Sequence, residues 1–168
     1  MTFQVRHPLV ENQYSTFNPD TAETLPIPAG RLVRVIGETS DGRTLVDVVA
    51  DASAAGQTPL GWLMQRVKAE SVEMPPHFRF RGDFGSSDAY VGDPVGVAMG
   101  AGAVYETDQY VDEGSNGIPA GTLLYCDDDG KLSDTNADSA PAPAAMALHA
   151  LTAAGTAAGK MLRIKALI

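Results

Sequence analysis

The chain has a single cysteine, Cys126, so no intrachain disulfide framework can form. Histidines number three, His7, His77 and His149, far apart and in no ligand motif, so no zinc pattern exists and no metal site is expected. Bases are scarce: 12 Lys and Arg stand against 21 Asp and Glu, a formal charge of −9. A broad basic face for phosphate is thereby disfavoured, and nucleic acid is not an expected partner. No apolar run reaches the roughly 18 residues of a membrane-spanning helix, so no membrane partner is expected. The first residues carry one Arg and no apolar core behind it, and do not read as a signal peptide. Five Phe, five Tyr and one Trp are too few for the row of exposed rings that a carbohydrate-binding or adhesion module uses.

What is present argues for a folded, mainly β chain. Hydrophobic residues make up 44% of the 168, which excludes general disorder and fits one domain or two modules of about 80 residues. Charge is uneven. Residues 1–84 carry 10 acids and 8 bases, whereas residues 85–168 carry 11 acids and 4 bases. From Asp83 to Asp138 there are 12 acids and one base, Lys131. Such a stretch reads as a solvated surface, and removing divalent cations should not change stability.

Residues 1–25 read as an extended N-terminal arm. Met1–Val5 suits a short strand, His7-Pro8 stops it, and Asn18-Pro19-Asp20 is a turn signal. No strand period persists, so the segment should order only against a partner, and deleting residues 1–20 should leave the fold intact. Residues 26–73 read as a first small β module. Arg31–Ile36 is a strand, Asp41-Gly42 a hairpin turn, Thr44–Val49 the return strand and Leu60–Met64 a third. Residues 74–87 form a linker, because Met74-Pro75-Pro76-His77 fits neither a helix interior nor a central strand; Phe78–Arg81 within it alternates like a short edge strand. Residues 88–168 read as a second β module. Its strands are Val95–Met99, Ala103–Tyr105, Gln109–Val111, Leu123–Tyr125 and the alternating Met161–Ile168.

The two modules echo one another. Ile118-Pro119-Ala120-Gly121 repeats Ile27-Pro28-Ala29-Gly30 at an offset of 91, and Asp129-Gly130 repeats Asp41-Gly42. Internal duplication and a shared lead-in to a strand both fit. Residues 137–158 hold 11 Ala. Intrinsic propensity makes Ala144–Leu151 helical, but Met146 and Leu148 alternate with small residues, and breakers flank the segment. It is taken as a strand.

No constellation of catalytic residues emerges. There is no Gly-x-Ser-x-Gly or Ser-x-x-Lys, and Gly100-Ala101-Gly102 lacks the spacing of a phosphate loop. Cys126 is followed by three acids, which raise a thiol pKa and oppose thiolate chemistry. Asp127-Asp128-Asp129-Gly130 resembles part of a calcium loop. With Gly130 at position six, however, positions 125 and 136 are Tyr and Asn where acids are required. Arg81-Gly82-Asp83 is a chance-length match to an adhesion tripeptide. Trp62 lies in a strand pattern and reads as core. No cofactor, no small-molecule substrate and no enzymatic activity are expected.

The order Tyr90–Ala98, Ile118–Tyr125, Asp129-Gly130-Lys131-Leu132, Pro143–Leu148 and Gly159–Leu167 resembles that of tailed-bacteriophage head decoration (cement) proteins. That group pairs a G-D-P-V strand with a G-x-L-Y-x-x-D-G-K-L hairpin, a P-V-A-x-A-L strand and a terminal basic-apolar strand. Here Ala144 stands where the third motif has Val, and the likeness covers about residues 88–168. It implies small β-barrel or β-tulip-like modules and a non-catalytic capsid stabilisation role on the virion surface, after synthesis in the host cytoplasm. The implied partners are the major capsid protein and further copies of the chain, as trimer or dimer. An N-terminal arm would add to a sheet edge of the shell, with Phe3, Tyr14 and Phe17 as capsid-binding anchors. Two alternatives remain. One is a head fibre, spike or tail protein whose acidic loops at 106–116 or 126–138 form a receptor-binding tip. The other is a small β-barrel hydrolase.

Overall fold

The structure, a computed structural model, describes residues 3–5, 11–17, 25–38, 40, 42–54, 57–69 and 88–168, with the backbone alone described at 3–5 and 11–17. The strands in chain order are β1 (Phe3–Val5), β2 (Glu11–Phe17), β3 (Leu32–Glu38), β4 (Thr44–Val48), β5 (Gly61–Leu63), β6 (Arg66–Lys68), β7 (Asp88–Tyr90) and β8 (Pro94–Met99). There follow β9 (Val104–Thr107), β10 (Tyr110–Val111), β11 (Gly117–Ile118), β12 (Leu123–Cys126), β13 (Leu132–Ser133), β14 (Ala145–Ala147), β15 (Leu151–Thr152), helix α1 (Ala153–Ala157) and β16 (Leu162–Ala166).

Five strands close a barrel in the order β2-β4-β3-β5-β8, and seven form a second sheet in the order β1-β9-β16-β14-β12-β13-β10. The chain is mainly β, as its β-branched runs and glycine turns indicate. Alternation divides the barrel strands. Val33, Val46, Val48, Leu63, Val95 and Val97 fill the interior. Leu32, Trp62 and Ala98 form a cross-strand row on the outer wall and join the core of the second sheet. There Trp62 packs on Tyr105, with ring centroids 5.3 Å apart and planes 49° apart.

The two sheets share one plan. A hairpin strand pairs with its return strand and with a third strand, as β4-β3-β5 and again as β13-β12-β14. A parallel neighbour flanks each return strand, β2 beside β4 and β10 beside β13. The Ile-Pro-Ala-Gly echoes take the same conformation. Gly30 and Gly121 have φ of 93° and 86°, and their N–H groups donate to Leu63 O and Ala147 O of the third strands. Ile27 bridges Val67 just as Ile118 pairs with Leu151. One difference is decisive. In the barrel β2 runs unbroken and pairs with both β8 and β4. In the second sheet that role is divided: β9 pairs with β16, and β10, only two residues farther on, pairs with β13.

Several expectations need correction. The segment read as an arm without strand period supplies two strands. β1 pairs with β9, and β2 matches six residues of β8, Glu11 opposite Met99 through Thr16 opposite Pro94. Its main chain pairs with β8 and β4, which no side-chain period within residues 11–17 announces. Deleting residues 1–20 would therefore open the barrel. β8, read as part of the second module, pairs within the barrel, and β1 pairs within the second sheet, while the linker read at 74–87 lies outside the described residues. Ala144–Leu151 is extended at Ala145–Ala147, as the alternation requires. The Ala-rich stretch forms its one helical turn later, at α1, where Thr152 caps the end by accepting from Gly155 N–H at 3.2 Å.

Candidate functional site

The chemistry-bearing residues fall into three places. The first is the acidic turn between β12 and β13. Asp127 N–H donates to Lys131 O at 3.0 Å and Gly130 N–H to Asp127 O at 3.1 Å, closing the hairpin. The Asp127 carboxylate then folds back, its Oδ1 accepting from Lys131 N–H at 2.6 Å and Asp129 N–H at 3.0 Å. Asp127 is 7% exposed, and burial raises its pKa while those N–H groups oppose the rise. This carboxylate shapes the turn.

The turn is no free tip. Leu32 N–H donates to Gly130 O at 2.7 Å, and Ala52 N–H to Asp128 Oδ1 at 2.8 Å. Arg31 donates from Nη1 to Asp129 O, and from Nε to Gln109 Oε1 at 2.9 Å. Gly130 has φ of 69° and is buried so tightly that a Cβ there would meet Leu32 O and Val48 Cγ1, each at 2.7 Å. The hairpin is seated on the barrel, with the side chains of Asp128 and Asp129 exposed beside the contact. The neighbouring Cys126 is 2% exposed, and burial, then Asp127, Asp128 and Asp138, push its thiol pKa up. It is a packing residue of the shared core.

The second place is a shallow cleft of about 280 Å³ between the loop after β10 and α1, lined by Tyr110, Val111, Ser115 and Thr156 among others. Asp112 at its edge is committed to structure. Its Oδ2 accepts from Thr156 Oγ1 and Gly117 N–H, both at 2.7 Å, and its Oδ1 from Asn116 N–H at 3.2 Å. The Thr156 bond is the leading cause of its lowered pKa. Tyr110 likewise donates its hydroxyl to Lys160 O at 2.7 Å.

The third is an ion-pair cluster on the two-stranded sheet β6-β7. Asp88 accepts from Arg66 Nε at 2.8 Å and from Lys68 Nζ at 2.6 Å. These two cations hold its carboxyl at about 2, well below the usual range. Neither alternation nor spacing pointed to this cluster; only the parallel register of Arg66 and Lys68 with Asp88 and Tyr90 assembles it.

Of the residues expected to bind a capsid, Phe3 lies in β1 and Tyr14 and Phe17 in β2. Their side chains are outside the described residues. Tyr14 is opposite Gly96 and Phe17 opposite Val46, so the backbone they would extend to a partner is engaged within the chain. His7, His77, Phe78–Arg81 and the Arg81-Gly82-Asp83 tripeptide also lie outside the described residues. His149 accepts from Arg163 N–H through Nδ1 at 3.2 Å. Trp62 is wholly buried, as a core residue should be.

No family model matches the sequence. No curated protein matches it either. Among solved structures, the fold is similar to the N base of the head fibre protein gp8.5 of bacteriophage phi29. The likeness covers 94% of this chain and 93% of that chain, with 13% identity and a TM-score of 0.48, and at that level it carries no argument about function.

Proposed function

We propose that the chain is a non-catalytic structural protein of a tailed-phage head, bound to the outside of the assembled shell, where it holds neighbouring subunits together. The supporting observation is the placement of the segments that resemble decoration proteins. The Leu123–Leu132 hairpin, the Ala145–Ala147 strand and the closing Leu162–Ala166 strand are neighbours in one sheet, in the order β13-β12-β14-β16. The Gly92–Ala98 segment supplies β8, which packs against that sheet through Ala98. The polar groups between them shape turns and join the two sheets. In this reading the chain associates with copies of itself at a local symmetry axis of the shell, so that many weak contacts act together.

The test is quantitative mass spectrometry of purified particles from the virus that encodes the chain. Copies comparable in number to the shell subunits are expected. A handful per particle would overturn decoration in favour of a head fibre or spike. Absence from the particle would overturn the head reading and reopen the hydrolase alternative.

A further inference from the structure

The loop between β10 and β11 carries the single Asn-Gly step of the sequence, Asn116-Gly117. Glycine lacks a Cβ and leaves its nitrogen open to the side chain before it, which makes such an asparagine thermolabile. The Gly117 nitrogen attacks Asn116 Cγ. The N–Cγ bond forms, the Cγ–Nδ2 bond breaks, and the proton from the nitrogen leaves with ammonia. Water then opens the cyclic imide at either carbonyl, giving Asp or isoaspartate at 116. The Asn116 side chain is exposed, so water reaches it.

The fold holds this step closed. Gly117 N–H donates to Asp112 Oδ2 at 2.7 Å, and Asn116 N–H to Asp112 Oδ1 at 3.2 Å. In the imide Cγ takes the place of the Gly117 hydrogen, at about 1.4 Å from the nitrogen. Oδ2 stands in front of that N–H and fills the space Cγ needs. Its negative charge also opposes loss of the proton, which would create a second anion beside it. The Asn116 carboxamide is turned the other way, with Nδ2 2.8 Å from where a Cβ on Gly114 would stand. Thr156 of α1 holds the blocking carboxylate, Oγ1 to Oδ2 at 2.7 Å. The ring can close only after Asp112 has swung away.

We propose that Asn116-Gly117 is a modification site of this chain, deamidating through a cyclic imide, and that the Asp112 carboxylate is the gate that sets its rate. The product bears on the fold. Isoaspartate adds a backbone carbon immediately before β11, where Gly117 pairs with Thr152 and the wholly buried Ile118 with Leu151. The modified chain loses that register and melts at a lower temperature than the unmodified one.

The experiment follows the full chain at neutral pH by peptide mass spectrometry, reading the Asn-to-Asp mass gain at Asn116 in heavy-oxygen water. Asn136, followed by Ala137, is the internal reference. Native wild type is compared with wild type unfolded in guanidinium, and with Asp112→Ala and Thr156→Val under native conditions. Circular dichroism establishes that each variant is folded. Deamidation of Asn116 is expected to be about tenfold or more slower in the native wild type than in the unfolded chain. Folded Asp112→Ala should recover most of the unfolded rate, and Thr156→Val should fall between. Equal rates in native and unfolded wild type overturn the gate. A folded Asp112→Ala as slow as the native wild type overturns it too, because protection would then come from strand pairing alone. If Asp112→Ala does not fold, Thr156→Val decides, and an unchanged rate there overturns the gate. No reaction at Asn116 even in the unfolded chain overturns the site itself.

Discussion

The barrel and the second sheet use the same strands in the same order, yet they treat the hairpin and the flanking strand differently. In the barrel one seven-residue strand, β2, closes the circle, and the turn at Gly42 has nothing within 4 Å of where a Cβ would stand. In the second sheet the flanking strand is broken between β9 and β10, and the corresponding turn, at Gly130, is seated on the barrel. A Cβ would find open space at Gly42 in one unit and a packed wall at Gly130 in the other, where the hairpin acts as a clasp. A repeat can keep its strand pairing, which is main-chain chemistry, while exposed turns acquire new contacts through a few side chains such as Arg31 and Asp128.

The largest effect should come from deleting residues 1–20, which removes the strand that closes the barrel. We expect loss of the cooperative unfolding transition, read by circular dichroism in urea; a retained wild-type transition would show that β2 is dispensable and that the two units close alike. Next, Trp62→Ala should cost about 3–5 kcal/mol, because the ring fills the seam between the two units. If the seam couples them, the single urea transition should split into two. Third is the contrast between the equivalent glycines. Gly130→Ala should cost about 2–4 kcal/mol through a positive φ and a collision with Leu32 O and Val48. Gly42→Ala, at φ of 79° with open space around it, should cost about 1 kcal/mol. Equal costs in equilibrium unfolding would refute the clasp.

The smallest effect concerns Asp88. Its carboxyl pKa is held at about 2 by Arg66, then Lys68, below its value in an unfolded chain. A depressed carboxyl stabilises the fold at pH values above the unfolded pKa near 4, and that contribution is lost as pH falls towards 2. Asp88→Asn should therefore flatten the stability profile between about pH 4 and 2. At pH 7 it should cost about 1 kcal/mol, since solvent screens partly exposed pairs. An unchanged acid profile would show that the ion pairs make no net contribution.

Much of this was legible from residues alone. β16 alternates as Leu162, Ile164 and Ala166 in, Arg163 and Lys165 out, and the structure reproduces that parity. The repeated Ile-Pro-Ala-Gly fitted both an internal duplication and a shared lead-in to a strand, and in the structure both copies place their glycine at positive φ. The seam residue Trp62 was readable as core, although not as the contact between units. The acidic turn keeps Asp128 and Asp129 exposed, as read, but nothing within 126–131 reveals that Leu32 and Ala52 supply N–H groups to it.

The amino-acid sequence by itself determined the β class, the positions of the turns, the parity of the core residues and the inert burial of Cys126. These follow from local rules: glycine where φ is positive, alternation where one face is buried, and acids that oppose a thiolate. Tertiary structure decided that residues 11–17 are a strand, that β8 belongs with the barrel and that the hairpin at Gly130 closes on its neighbour. Each of those depends on main-chain hydrogen bonds to partners far along the chain, and a backbone group carries no mark in its own side chain of where its partner lies.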